Sequence, residues 1–233
     1  MMDMYKSVTQ CVQLNKKQAH EVHGGLTQTT KMPCKSYSLP TIACKTGFKM
    51  RAIAGSICAD CYAEKGNYRK YASGIEPAQH ARLESINLAL ADPEYRAAWI
   101  AAMAVSIGDD DYFRFHDSGD IQNIEHLELY ADLARAMPKC KFWLPTREYG
   151  IVSAFTAQYD IPQNLIIRLS AMFTDKAVTV PASLKNVAGI AVSNVHSVKP
   201  IGTACNAPAQ NGECRECRAC WNRKVAAVSY SIH

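Results

Sequence analysis

Hydrophobic positions in the middle of the chain alternate between helical and strand-like spacing. Residues 123–137 carry apolar side chains every three or four positions, and Pro138 follows, which predicts an amphipathic helix. Helices are also predicted over 77–90, 94–107 and 149–159, with a break at Asp92 and Pro93. Short apolar runs predict strands over 111–116, 141–145, 164–170 and 188–193.

This alternation implies crossover connections and a mostly parallel sheet. Four units are too few for a closed eight-stranded barrel. The predicted fold class is therefore α/β, as a partial (βα) barrel or an open parallel sheet, with cysteine-rich, metal-binding loop regions at both ends of the chain. The predicted organisation is a metal-binding region over 1–75, an α/β core over 76–200 and a second metal-binding region over 201–233.

The predicted strands end in polar residues. Parallel strands bind ligands at their carboxyl ends, so these residues are candidates for a shared ligand site, although Asp120 or Asn123 could instead cap the next helix. We expect Asp117, Asp120, Arg147 and Arg168 to converge beside the N-terminal cysteines; the alternative is a closed salt-bridge network that only braces the sheet. The candidate ligand-binding residues are His116, Asp117, Ser118, Asp120, Arg147 and Arg168.

The 233-residue chain contains ten cysteines, no apolar run long enough to span a membrane and no signal-peptide pattern at its start. We therefore expect a cytoplasmic protein without a membrane partner. In a reducing compartment, clustered cysteines favour metal binding over disulfides. Eight cysteines form two groups, whereas Cys11 and Cys140 stand apart and are predicted to be small buried hydrophobic residues.

The C-terminal group is Cys205, Cys214, Cys217 and Cys220. Its run of three cysteines spaced three apart is typical of iron–sulfur ligation, with the fourth ligand from further away, and zinc is the alternative metal. The N-terminal group is Cys34, Cys44, Cys58 and Cys61. The close pair Cys58 and Cys61 indicates a second site; a three-cysteine site with one open iron, or one shared site, also fits the spacing.

Basic residues outnumber acidic ones by 11 to 4 in residues 1–75 and by 7 to 2 in residues 176–233. These are the two cysteine-rich regions. The basic side chains could offset the negative charge of thiolates or form a nucleic-acid surface.

Seven motifs spread along the chain resemble the phage gene-product-88 family: KMPC at 31–34, SYSLP at 36–40, CKTG at 44–47, GSICADCYA at 55–63, FHDSGD at 115–120, WLPTRE at 143–148 and RACW at 218–221. The resemblance implies a phage protein acting in the host cytoplasm. It implies no particular reaction.

A more distant resemblance is to radical S-adenosylmethionine enzymes. Cys58 and Cys61, followed by Tyr62 and Ala63, resemble the second half of their three-cysteine motif, while Ala54 stands where its first cysteine is expected. The turn at 118–120 resembles the turn that binds the methionine amino group in that superfamily. The C-terminal cysteines resemble its auxiliary-cluster domains. The resemblance implies one or two 4Fe–4S clusters and S-adenosylmethionine as a ligand.

Two functions follow from these features. The first is an iron–sulfur redox or electron-transfer protein, with radical S-adenosylmethionine-like chemistry as its enzymatic form, and with a small-molecule substrate or a redox partner. The second is a metal-stabilised module, with zinc or iron–sulfur, that binds nucleic acid or a host protein.

Overall fold

The computed structural model describes residues 14–29 and 31–232, which form a parallel sheet with helices packed on one face. The helices are α1 (Lys16–His23), α2 (Lys45–Met50), α3 (Gly66–Lys70), α4 (Ala72–Ala91), α5 (Pro93–Ile107), α6 (Ile124–Ala136) and α7 (Tyr149–Thr156). The strands are β1 (Ser36–Tyr37), β2 (Tyr112–Phe115), β3 (Lys141–Thr146), β4 (Leu165–Ser170), β5 (Ile190–His196), β6 (Thr203–Ala204) and β7 (Ala227–Ser231).

The four strands predicted from the sequence are present as β2 to β5, and the cysteine-rich regions add three more. The strands pair in the order β1-β2-β3-β4-β5-β7-β6, and every pair is parallel. Of the two architectures expected, the molecule adopts the open parallel sheet. The first and last regions of the chain contribute strands to the same sheet as the middle.

Helix α6 matches its prediction to within a residue at each end. The Asn123 side chain accepts a hydrogen bond from the His126 backbone N–H, so Asn123 is the N-cap, and Asp120 has a different role. Helix α4 begins before its predicted start and includes Pro77. A proline in a helix removes one backbone donor and disfavours the preceding turn, which is why the sequence pattern suggested a start at that residue.

The two faces of the sheet have different coverings, because successive side chains of a strand point to opposite sides. Phe113, Phe142 and Ile167 belong to the main core, together with residues from α1 and α4 to α7. Trp143, Ile166 and Ala191 face the other way and pack with Cys34 and Trp221. We call these the helix face and the loop face.

Among residues 14–29 and 31–232, no helix is both long and apolar enough to cross a membrane.

Candidate metal and ligand site

The loop with Cys58 and Cys61 is fixed to the carboxyl edge of the sheet, just beyond β4. The Ile57 N–H donates to the Met172 carbonyl at 2.9 Å, and Ser56 pairs with Phe173 as an isolated bridge. The Ser56 hydroxyl caps the 3-10 turn Ile57–Asp60 by accepting from the Ala59 N–H. These contacts hold the two cysteines where parallel sheets bind ligands.

Cys44 reaches the same edge through a contact with β3. The Glu148 carboxylate, just after β3, accepts hydrogen bonds from the Thr46 N–H at 2.6 Å and from the Thr46 hydroxyl at 2.8 Å. Thr46 lies in the first turn of α2, which Cys44 precedes as the N-cap residue. The buried Glu148 thus fixes the segment that carries Cys44. In the sequence, Glu148 stood out only as part of a polar strand end, and nothing there assigned it this role.

Three thiols converge at this edge: Cys44, Cys58 and Cys61, which we call the edge thiols. Gly47 lies between two of them, because a Cβ added at Gly47 would stand 3.5 Å from Cys58 Sγ and 3.8 Å from Cys44 Sγ. Burial raises the pKa of the Cys44 thiol to about 12, and the nearby Asp120, Cys61 and Cys58 act in the same direction. Burial also raises the pKa of Cys58, against the opposing effect of Arg147.

Asp120 and Arg147 border the edge thiols and are bonded to each other through the backbone. The Asp120 carboxylate accepts from the Thr146 hydroxyl at 2.6 Å, from the Arg147 N–H at 2.8 Å and from the Ile121 N–H at 2.8 Å. The Arg147 guanidinium donates from Nε to the Ala171 carbonyl at 3.0 Å. Asp120 therefore fixes the backbone turn from which the Arg147 side chain extends.

The other polar residues after β2 are held mainly by protein contacts. The Asp117 carboxylate accepts from the Ser36 hydroxyl at 2.9 Å and the Tyr68 hydroxyl at 2.8 Å. Ser118 donates to the Leu39 carbonyl at 2.9 Å. Gly119 has a φ of +79° and lies against Leu39 so closely that a Cβ would approach its side chain to 2.5 Å, which requires glycine in this turn.

His116 ends β2 in the left-handed region, with a φ of 52°, and its ring turns toward the core. Its Nε2 is 2.9 Å from the Tyr130 hydroxyl, and its Nδ1 is 3.9 Å from Asp120 Oδ1. His116 therefore lies beneath Asp120 and supports it from the side of the helix face.

Arg114 is a half-buried residue of β2 that was not singled out from the sequence. Its Nε is buried without a hydrogen-bond partner, and the guanidinium lies 4.5 Å from the Trp143 ring centroid. Although burial opposes the charged form, the neighbouring Tyr62 and Asp117 raise the pKa of Arg114. A charged residue between Phe113 and Phe115 was the sequence signal, since it must point away from the apolar face.

Two clefts open beside the edge thiols. One, of about 420 Å³, is lined by Cys44 itself with Ile42, Lys45, Phe48 and Lys49. The other, of about 320 Å³, is bordered by Thr41, Ala63 and Tyr68 among others. Small molecules can therefore approach the edge thiols from solvent.

The remaining five grouped cysteines lie at the loop face: Cys34, Cys205, Cys214, Cys217 and Cys220, which we call the face thiols. Cys34 is buried in the cluster of Trp143 and Trp221, against which Cys220 packs. The Cys214 N–H donates to the Lys31 carbonyl at 3.0 Å, next to Cys34 in the chain. The expectation that Cys34 joins Cys44, Cys58 and Cys61 is thus not met by this arrangement, because β1 runs between Cys34 and Cys44.

Arg168 also belongs to the loop face, and the expected convergence of Arg168 with Asp120 and Arg147 is wrong. Its fully buried guanidinium donates to five backbone carbonyls. These acceptors belong to Val192, Ala219, Cys220, Asn222 and Val225, at 2.8–3.2 Å. Arg168 therefore holds the C-terminal loop against the sheet, because its position in β4 directs it to this face.

The thiols are grouped but not in contact. In the described part of the chain, no set of three or more histidine, cysteine, aspartate or glutamate side chains is arranged to hold a metal ion as it stands. All cysteines from Cys34 onward are free thiols. Cys140 is a buried core residue with 3% exposure, as predicted, and Cys11 lies outside the described residues.

A family model described as gene product 88 matches residues 9–223 of the chain. The chain belongs to the gene product 88 family. The match includes the edge thiols and all of the face thiols, so both groups lie within the family's extent. Neither the curated proteins nor the solved structures compared with the chain give a match. The resemblance to radical S-adenosylmethionine enzymes receives no support from these comparisons.

Proposed function

We propose that this gene product 88 protein is an iron–sulfur protein whose edge thiols hold a cluster and form a redox site for a small anionic ligand. The observation that carries the proposal is the convergence of Cys44, Cys58 and Cys61 beside open clefts at the carboxyl edge of a parallel sheet. When bound, an iron–sulfur cluster supplies one-electron chemistry at such a site.

The donor set and the space around it fit this group. Thiolates are the protein ligands that iron–sulfur clusters use. Gly47 keeps a space between Cys44 and Cys58 that a side chain would narrow, since a Cβ at this position would come within 3.2 Å of Cys44 Cβ. Because the thiols do not yet form a metal-binding group, loading requires their side chains to close in, which a metal can drive through its binding free energy.

A set of three thiolates differs from a closed set of four, because it leaves one iron of a four-iron cluster for another ligand. With Cys34 at the loop face, the edge offers three cysteines. This arrangement favours a cluster that binds a small molecule over a simple electron carrier.

The electrostatics of the edge favour an anionic group on that molecule. Arg147 and Arg114 are half-buried, and neither takes part in an ion pair among the described residues. A half-buried guanidinium without a carboxylate is suited to a carboxylate or phosphate, which it can bind through two parallel hydrogen bonds. Arg147 would orient the ligand, and Asp120 would position Arg147 through its backbone N–H. S-adenosylmethionine, which carries a carboxylate, is the first ligand to test.

The test is anaerobic purification with iron, sulfide and zinc analysis and electron paramagnetic resonance. We compare the wild type with a variant in which Cys44, Cys58 and Cys61 are all alanine, and with Cys140→Ala as a control for loss of a buried thiol. The edge variant should lose about four irons per chain and the matching signal. Cys140→Ala should retain both. S-adenosylmethionine added to the reduced wild type should change the signal that the edge variant lacks.

Equal iron in the wild type and the edge variant would contradict the proposal. Zinc without iron would contradict it as well and would favour the metal-stabilised module that binds nucleic acid or a host protein. An iron signal that S-adenosylmethionine leaves unchanged would keep the cluster and remove this ligand from the account.

A further inference from the structure

Cys34 lies among the face thiols although 170 residues separate it from Cys205 in the sequence. Its side chain is 5% exposed and packs with Trp143, Ile166 and Trp221. Cys220 lies at the border of the same cluster, and its Sγ is 3.1 Å from the Tyr230 hydroxyl. Two thiols from opposite ends of the chain therefore meet on one face of the sheet.

The backbone segments that carry these thiols are bonded to each other. The Cys214 N–H donates to the Lys31 carbonyl at 3.0 Å. Gly212, with a φ of +81°, lies so close to Lys31 that a Cβ would approach its side chain to 2.8 Å. A residue with a side chain would be strained at Gly212 and would push Lys31 away. The approach of the two segments is thus specified at two neighbouring points.

Electrostatic neighbours agree with this geometry. The pKa of the Cys34 thiol is raised to about 12, mainly by burial, and Cys214 contributes in the same direction. Burial also raises the pKa of Cys214, with contributions from Cys205 and Cys217. Burial raises the pKa of Cys220 as well, and Cys205 acts in the same sense. The five face thiols thus lie within electrostatic reach of one another in a chain of neighbours, and none has an edge thiol among these contacts.

We propose that Cys34 is a ligand of a metal centre at the loop face, where three of the thiols between Cys205 and Cys220 complete a four-thiolate set. The ligand is a thiophilic metal, either iron in a cluster or zinc, since both bind four thiolates. This centre would be structural: it joins the segment before β1 to the loop that covers the sheet, and its binding free energy would stabilise that contact. The inference does not rest on the function of the edge thiols.

The test uses the full chain in which Cys44, Cys58 and Cys61 are alanine, so that any remaining metal belongs to the loop face. In this background we compare Cys34→Val with Cys140→Ala. Valine keeps an apolar side chain of similar size in the cluster and cannot ligate metal. Metal content after reconstitution with zinc, or with iron and sulfide, distinguishes the two sources, and competition with a chelator gives the relative affinity.

Cys34→Val should lower the metal affinity at least tenfold and should remove the rise in melting temperature that metal gives to the background protein. Cys140→Ala should leave both unchanged, apart from a lower melting temperature with and without metal. Circular dichroism of metal-free Cys34→Val checks that the sheet and helices persist. An unchanged affinity in Cys34→Val would show that the segment 205–220 binds the metal alone and would overturn the inference. Loss of metal from the background protein itself would overturn it too, without affecting the proposal for the edge thiols.

Discussion

The edge thiols lie at the carboxyl ends of the strands beside open clefts, whereas the face thiols lie against the sheet under Trp221. Near the edge thiols, Arg147 and Arg114 have no ion-pair partner among the described residues. Near the face thiols, Arg168 has all its donors engaged by backbone carbonyls. Cations without a carboxylate partner beside open space suit ligand binding, and a satisfied cation under a loop suits structural support.

The two regions also differ in how they are tied to the sheet. The edge cysteines are fixed by a few local contacts, such as Glu148 to Thr46 and Ile57 to Met172. The face cysteines are fixed by a buried aromatic cluster and by Arg168. We therefore expect changes at the loop face to affect folding and changes at the edge to affect metal and ligand binding.

The largest expected effect comes from Arg168→Met. Methionine fills much of the same volume but leaves buried carbonyls of the C-terminal loop without donors, each at a cost of about 1–3 kcal/mol before relaxation. The free energy of unfolding should fall by about 3 kcal/mol, as measured by chemical denaturation. Arg135→Met is the control, because Arg135 is exposed and paired with Asp132, and it should change stability by less than about 1 kcal/mol.

The same variant also separates the two thiol groups. Arg168→Met should weaken metal binding at the face thiols and leave iron at the edge thiols at the wild-type level. If the unfolding free energy of Arg168→Met equals that of Arg135→Met, the assignment of Arg168 as the support of the loop is wrong.

An intermediate effect is expected from Arg147→Gln. Glutamine keeps a polar side chain but removes the charge that we assign to an anionic ligand, so S-adenosylmethionine should bind about tenfold more weakly, equivalent to about 1.4 kcal/mol. Iron content and melting temperature should stay at the wild-type values. Isothermal titration under anaerobic conditions measures the affinity, and Arg135→Gln is the matched control. Loss of iron together with the ligand would instead assign Arg147 to the support of the edge thiols.

The smallest effect on stability, but a specific effect on metal, is expected from Gly47→Ala. Gly47 is a helical residue of α2, and alanine is favoured over glycine in helices by up to about 1 kcal/mol. The added methyl group would narrow the space between Cys44 and Cys58. We therefore expect equal or higher stability of the metal-free protein with less iron at the edge. Full iron content in Gly47→Ala would mean that the cluster does not use this space.

The fold was largely predictable because its signals are local. The periodicity of residues 123–137, Asn123 and Pro138 were sufficient for α6, and the apolar runs were sufficient for β2 to β5. The short strands β1, β6 and β7 were missed, since two to five residues in cysteine-rich loops give no distinct pattern. The polar residues after β2 and β3 were correctly expected at one edge, but their partners Leu39, Ser36 and Thr46 come from distant segments.

The sequence by itself determined that eight cysteines form groups, that the core is a parallel α/β sheet and that the chain belongs to its family. Only the tertiary structure decided how the cysteines are divided. Cys34 and Cys44 are ten positions apart, yet the extended strand β1 between them carries the chain across the sheet, so the two thiols lie in different surroundings. The same alternation of side chains turned Arg168 to the loop face and away from Arg147. Spacing along the chain limits distance only over a few residues, and beyond that the direction of each strand decides which side chains meet.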